Sequence, residues 1–308
     1  GSEEDALNDV LRLSQAMTYK AACANISAGG GKGVIIAEPK HKTQELFAAY
    51  GDFVETFKGR FITGEDLNIS VQNVHQMFAK THYLVGLQER YGGPGRATAI
   101  GIVCGMKAAR KFYFGKENLH GLKVAVQGVG KVGQNLCQLL AEEGVELFVS
   151  DPITERVQEA HRVYGAHIVD LDEIYDLEVD IFAPCALGGI INSGTIPKLK
   201  MAIIAGSANN QLENEAIHSR MLAEQKIIYC PDYVINAGGL INVYDEMMGI
   251  EENISLARVR KIADTLMEVF KLAEDNNITT LEASKHLAEQ RFLKGECDRP
   301  LVTNDKRG

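Results

Sequence analysis

The sequence predicts an α/β protein in two parts, a doubly wound parallel sheet and a smaller α/β domain facing it across a cleft. Three observations carry that prediction. From Leu122 onward, short apolar or β-branched runs alternate with helical stretches, the rhythm of a parallel sheet covered by helices. The run Gly128-Val129-Gly130-Lys131-Val132-Gly133 lies between one such strand and one such helix. A turn-rich stretch, Tyr91-Gly92-Gly93-Pro94-Gly95, separates this half from the preceding one.

The elements follow in order. Residues 5–22 carry Leu7, Val10, Leu11, Ser14 and Met17 on one stripe, the pattern of an amphipathic helix. Gly29-Gly30-Gly31 follow, then Lys32 and a strand-like Val34-Ile35-Ile36. Residues 43–57 read as a helix, Phe61-Ile62-Thr63 as a short strand entering Gly64-Glu65-Asp66, and residues 71–79 as another helix. A helix is expected over about 98–112 after the turn-rich break. Strands are expected at 123–127, 145–149, 180–182, 202–205 and 227–229, with helices between them. Two long helical patterns, 252–275 and 281–293, close the chain.

The 308 residues are too many for one ordinary core and suit two domains. Hydrophobic residues at 45% and charged residues at 24% give the balance of a soluble globular protein. A net charge of -9 argues against a nucleic-acid surface, which needs clustered Lys and Arg. No apolar run approaches the ~20 residues of a membrane span. Residues 1–9 are acidic and polar, unlike a secretory signal. A cytoplasmic protein with neither nucleic-acid nor membrane partners is therefore expected. Cys23, Cys104, Cys137, Cys185, Cys230 and Cys297 are scattered with no CxxC pair, and the eight histidines form no HExxH cluster. They read as free thiols and ordinary histidines, with no metal site.

The strand Val124-Ala125-Val126-Gln127 runs straight into the glycine run, and a helix-like stretch follows. That context makes GxGxxG a dinucleotide-binding signature. Gly128 permits the tight turn, Gly130 lets a pyrophosphate approach the backbone, and Gly133 allows close packing of helix on strand. The N–H groups at the helix start, around Val129, Lys131 and Val132, then face the phosphates. Asp151 ends the next strand, about 20 residues beyond the first glycine, where an acid accepts from ribose hydroxyls and repels a 2′-phosphate. The pairing favours NAD over NADP. A glycine turn with no ligand and a surface Asp is the bland alternative.

Lys20 and Lys32 bracket the glycine triplet, and Glu65-Asp66 follows downstream. Most lysines in such positions lie on the surface. Lys20, however, has Ala16, Ala21, Ala22 and Cys23 for company, and Lys32 leads into an apolar run. A lysine that is partly desolvated near a second cation has a depressed pKa and can act as a base.

The strings MTYKAA (17–22), GGGKGVIIA (29–37), ITGED (62–66), VAVQGVGKVG (124–133), IFAPCALGGIIN (181–192), IAGSANNQL (204–212) and PDYVINAGGLINVYDE (231–246) resemble the glutamate/leucine/phenylalanine/valine dehydrogenase family. The likeness covers nearly the whole chain, in the family order, and is nearest to the bacterial leucine and phenylalanine branch. It implies a Rossmann-type NAD domain over residues 91–279. It also implies a substrate, catalytic and oligomerisation domain over residues 1–90, joined by a C-terminal helix at 280–308. An amino-acid dehydrogenase that releases a 2-oxo acid and ammonia, assembled as a homo-oligomer, is the implied activity.

By the same resemblance Lys20 holds the substrate carboxylate, Lys32 is the general base that activates water, and Asp66 shuttles protons to and from the substrate amine. Thr98 and Asn210 lie near the nicotinamide end of NAD, with Asn210 also at the substrate. Cys185-Ala186-Leu187 form the strand end passing over the dinucleotide, and Asn236 joins the cofactor-binding set. Gly64, Leu240 and Val243 occupy the side-chain pocket. Gly64 with Leu240 is the pairing of aromatic-preferring members, so phenylalanine is favoured, with leucine and valine close behind; each methylene in such a pocket shifts preference by only ~1–3 kcal/mol. No cation is evident for a second carboxylate, which disfavours glutamate.

The chain departs from the family pattern at two places. It starts just ahead of the MTYK helix, where the family has a longer stretch that supplies strands, so an uncovered sheet edge is expected. Arg96 stands near the hinge where proline is more usual. The competing expectation is a truncated NAD-binding protein with little catalysis. A Rossmann reductase of another family leaves the Lys20, Lys32 and Asp66 arrangement unexplained.

Overall fold

The computed structural model describes residues 2–66, 68–85 and 92–295. The chain opens with helix α1, Glu3–Cys23. Its start is fixed by a capping box: the Ser2 hydroxyl accepts from the Asp5 N–H, and the Asp5 carboxylate accepts from the Ser2 N–H. Helix α2, Gln44–Glu55, and helix α3, Val71–Phe78, pack on each other around Phe47, Val74 and Met77. Strand β1, Thr63–Gly64, pairs in parallel with β2, Leu84–Val85.

Helix α4, Gly93–Phe114, begins earlier than the sequence pattern indicates, because Pro94 occupies its first turn, where a missing N–H costs nothing. The turn-rich stretch expected at 91–95 survives as Gly92 and Gly93, both at φ +77; Tyr91, with residues 86–90, lies outside the described residues. So do residues 296–308 of the expected C-terminal helix, and Cys297 with them.

The second half holds a six-stranded parallel sheet. Its strands are β3, Lys123–Gln127; β4, Glu146–Ser150; β5, His167–Ile168; β6, Ile181–Pro184; β7, Ile203–Ile204; and β8, Ile228–Tyr229. Their spatial order is β5-β4-β3-β6-β7-β8. The order reverses between β3 and β6, so the crevice at their carboxyl ends is the switch point where doubly wound sheets bind ligands. One face of β3 contributes Val124 and Val126 to a core with α4, α5 (Lys131–Glu142) and α11 (Ile262–Asn276). The other contributes Ala125 to a second core with Phe182, Ile204 and Tyr229. Helix α6, Thr154–Tyr164, follows β4, and α7, Glu215–Glu224, precedes β8.

Three short helices follow β8: α8 (Asp232–Ile235), α9 (Gly238–Met247) and α10 (Glu252–Arg260). The helical pattern at 252–275 is therefore two helices, α10 and α11, broken at Lys261. Helix α12, Thr280–Lys294, returns to α1. There the Tyr19 hydroxyl donates to Glu289 at 2.7 Å, and Arg291 donates to the Cys23 carbonyl at 2.8 Å, one of the carbonyls left open at the end of α1.

One expected strand does not form. Val34-Ile35-Ile36 is irregular, with Val34 41% and Ile36 59% exposed, and only Ile35 packs against the Phe47 cluster. A strand needs a hydrogen-bonded neighbour, and no described strand pairs with this segment.

Candidate active site

The nucleotide corner is made of backbone. Gly128 has φ +95, and a Cβ there would lie 2.7 Å from the Ala186 methyl. At Gly133 a Cβ would lie 2.0 Å from the Gly128 carbonyl, so only glycine lets α5 start this close to the turn. At Gly130 the same space is open, with Arg156 Nη1 the nearest atom at 3.9 Å. An approach path to the backbone thus exists at the middle glycine, and the residues present fit a dinucleotide pyrophosphate at the start of α5. Val129 is buried, Val132 half-buried and Lys131 exposed.

Asp151 sits at the end of β4, as expected, but its carboxylate is turned inward. One oxygen accepts from the Val129 N–H at 2.7 Å and lies 3.6 Å from Arg156; the other accepts from the Ile153 N–H at 2.9 Å. Across the switch point, Cys185 is half-buried and burial raises its thiol pKa, while Ala186 and Leu187 are exposed. Asn210 adopts φ +52, and its carbonyl accepts from the Gly189 N–H. Asn236 is buried; its side-chain amide donates to the Ser207 carbonyl and to Asn209, and its side-chain oxygen has no partner among the described residues.

The lysine cluster is made of side chains from distant parts of the chain. A Cβ at Gly30 would fall 2.0 Å from the Ser14 carbonyl, so the glycine triplet lies directly on α1, held by the Gly30 N–H donating to Thr18. That contact brings Lys32 into the electrostatic range of Lys20. The Lys20 ammonium is pushed down to about 8, chiefly by burial; Asp232 opposes the shift and Lys32 adds to it. Burial also lowers Lys32, which is ion-paired with Asp66, a contact that favours its charged form. The structure thus joins Lys20, Lys32 and Asp66, the three residues expected to carry the chemistry.

Two of the expected pocket positions, Leu240 and Val243, lie on α9, which packs against α4. A Cβ at Gly238 would lie 2.2 Å from the Ala97 carbonyl, so glycine there lets the two helices approach closely. Thr98 is buried, donates to the Pro94 carbonyl at 2.8 Å, and faces Gly239. Leu240 and Val243 are half-buried on α9, which also packs against β2. Gly64 lies in β1, and a Cβ there would meet the Val85 carbonyl at 2.6 Å. The space its missing methyl leaves is therefore taken by the neighbouring strand.

Asp232 is the member of the charged cluster that the sequence reading missed. It is buried at the start of α8, accepts from the Gln211 and Tyr233 N–H groups, and is the charge that supports Lys20. Burial raises its own pKa, against those hydrogen bonds and Lys20. It lies within the string at 231–246, but its tie to Lys20 spans the fold and leaves no local signature. Among the described residues no group of three His, Cys, Asp or Glu side chains is placed to hold a metal, and no helix is long and apolar enough to cross a membrane.

A parallel sheet with a glycine turn at its switch point defines a dinucleotide-binding α/β protein, and the same chain gathers two lysines and a carboxylate into one cluster. Residues 2–83 match the family model for the Glu/Leu/Phe/Val dehydrogenase dimerisation domain, and residues 146–294 match the Glutamate/Leucine/Phenylalanine/Valine dehydrogenase model. The chain is 56% identical over 291 residues to an L-tryptophan dehydrogenase of Nostoc punctiforme, covering 94% of this chain and 82% of that protein. It is 48% identical over 295 residues to a leucine dehydrogenase of Geobacillus stearothermophilus, covering 94% and 80%. The crystal structure of L-tryptophan dehydrogenase from Nostoc punctiforme superposes with a TM-score of 0.86 at 54% identity, covering 96% of this chain and 85% of that one. The chain belongs to the Glu/Leu/Phe/Val dehydrogenase family and is an amino-acid dehydrogenase, an oxidoreductase acting on CH–NH2 with an NAD(P)-binding Rossmann-type domain.

Proposed function

We propose that this chain carries out the NAD-dependent oxidative deamination of an aromatic L-amino acid, tryptophan ahead of phenylalanine. The observation that carries the reading is the Lys20, Lys32 and Asp66 cluster. Identity to a protein named for tryptophan, at 56%, moves the preference from phenylalanine toward the larger indole. The apolar Leu240 and Val243 on α9 suit a ring, and no cation among the pocket positions invites a second carboxylate.

In this reading the Lys20 ammonium pairs with the substrate carboxylate and fixes its orientation. Asp66 takes a proton from the substrate ammonium and leaves a neutral amine. Bound NAD supplies the hydride acceptor for Cα. Lys32, lowered by burial, deprotonates the water that attacks the resulting iminium carbon. The two cations also stabilise negative charge as the carbinolamine forms and collapses to the 2-oxo acid and ammonia. Residues 1–90 with α12 serve as the substrate and oligomerisation unit, residues 91–279 as the NAD unit, and the protein assembles as a homo-oligomer. Support for assembly comes from the dimerisation-domain match and from Leu7 and Leu11, 56% and 59% exposed on α1.

The test is NADH formation with L-tryptophan, L-phenylalanine, L-leucine, L-valine and L-glutamate. Highest kcat/KM on tryptophan supports the full reading. A leucine optimum would overturn the pocket assignment alone. Tight NADH binding with no turnover on any amino acid would replace the enzyme reading with that of a binding protein.

A further inference from the structure

Resting on the reading of Leu240 and Val243 as substrate-pocket residues, we infer that the Asp245–Arg258 ion pair positions α9 and thereby sets which amino-acid side chain the enzyme prefers. Asp245 lies on α9 and is fully buried, at 0% exposed. A carboxylate taken out of water needs a partner to stay ionised. Burial pushes its carboxyl pKa up, and the Arg258 guanidinium, donating to it from α10, opposes that shift. The guanidinium carbon also lies over the Tyr244 ring, 5.9 Å from its centre. One cation thus holds two successive residues of α9.

The place of that hold on the helix gives it its effect. The start of α9 is fixed on α4: a Cβ at Gly238 would lie 2.2 Å from the Ala97 carbonyl, and one at Gly239 2.8 Å from the Thr98 hydroxyl. Leu240 and Val243 come next, and Asp245 follows both. The two pocket residues therefore stand between a fixed start and a fixed end. At roughly 100° of turn per residue, Asp245 projects about 140° away from Leu240 and about 160° away from Val243. The pair thus grips α9 from the side opposite the pocket residues. Its other half is anchored too, because Val259, the neighbour of Arg258, is buried and α10 packs against α4. Without the cation, the buried carboxylate has to reach toward water, and the helix end that carries it moves Leu240 and Val243 as well. A displacement of ~1 Å in a site costs up to about 10²-fold in rate.

The experiment measures kcat/KM on L-tryptophan and L-leucine, NADH affinity and Tm, with the assays run well below each Tm. The proteins compared are the wild type, Arg258→Met, Arg258→Lys, Leu240→Ala and the double variant Asp245→Leu with Arg258→Met. Arg258→Met should change the tryptophan-to-leucine ratio of kcat/KM by at least about fivefold, mainly through KM, with NADH affinity unchanged. Arg258→Lys should restore part of the ratio, since an ammonium keeps the charge but lacks the planar fork. The double variant removes both charges, so its Tm should return close to that of the wild type. Its ratio should stay shifted, because the directed contact is gone. A shift below about fivefold in the double variant, or in a folded Arg258→Met, would overturn the inference and leave the pair a purely structural one. Where Arg258→Met does not fold, the double variant decides. An unchanged ratio in Leu240→Ala would overturn the pocket reading, and the inference with it. Absence of turnover by the wild type on any amino acid would overturn the proposed function itself.

Discussion

The glycine turn and the lysine cluster are built by opposite means. Around residues 128–133 the chain offers N–H groups and empty space, and the side chains that matter are the ones missing at Gly128, Gly130 and Gly133. Around Lys20 the cluster is made of charged side chains, drawn from α1, the segment just after the glycine triplet, the loop after β1 and the start of α8. The supports differ as well. The turn stands on a six-stranded sheet with buried residues on both faces, whereas the lysine cluster lies beside two strands of two residues each. Backbone recognition is local and tolerates changes in exposed side chains. Side-chain recognition is assembled from afar, and each member is exposed to substitution.

That contrast can be broken most forcefully at Lys32. Lys32→Ala should lower turnover by about 10³-fold, the scale of a positioned general base, with NADH affinity unchanged; steady-state kinetics and calorimetry check both. Lys20→Ala should raise KM for the amino acid by on the order of 10²-fold, as removal of a charge-assisted carboxylate contact does, with a smaller fall in kcat. In the other region, Gly133→Ala drives a methyl into the Gly128 carbonyl. It should weaken NADH binding about tenfold and lower Tm on the order of 5 °C, while turnover at saturating cofactor changes little.

The pH profile sharpens the comparison with a smaller effect. Lys20 must be charged to hold a carboxylate, and its folded pKa is pushed down to about 8. The amino-acid kcat/KM should therefore fall as pH rises through about 8. Lys20→Arg keeps its charge at all working pH values, so that falling limb should move up by more than one unit. Asp232 favours the charged form of Lys20, so Asp232→Asn should move the limb to lower pH. A limb that stays fixed in both variants would mean that another group controls it.

The same contrast explains what could be read in the sequence. The glycine turn, β3 and the acid at Asp151 are contiguous or nearly so, and their spacing is their function; β3 was legible to the residue. The direction of the Asp151 carboxylate was not, because it is set by hydrogen bonds to Val129 and Ile153 that only the folded turn creates. Lys20 and Lys32 carry a local signal in their apolar neighbours, but their roles, and that of Asp66, come by resemblance. Asp232 was missed because its role depends on meeting α1 across the fold. The strand expected at 34–36 shows the limit of pattern reading: β-branched residues favour a strand, but pairing decides whether one forms. Gly64 shows another limit, since its missing methyl makes room for Val85.

The central claim is that chemistry resides in the lysine cluster and cofactor recognition in the glycine turn. Its most direct test measures NADH affinity by calorimetry and turnover at saturating NAD and L-tryptophan in Lys32→Ala and Gly133→Ala side by side. The account predicts that Lys32→Ala binds NADH like the wild type and fails to turn over, while Gly133→Ala binds weakly and turns over. Near-normal turnover in Lys32→Ala, or loss of NADH binding together with its turnover, would contradict it.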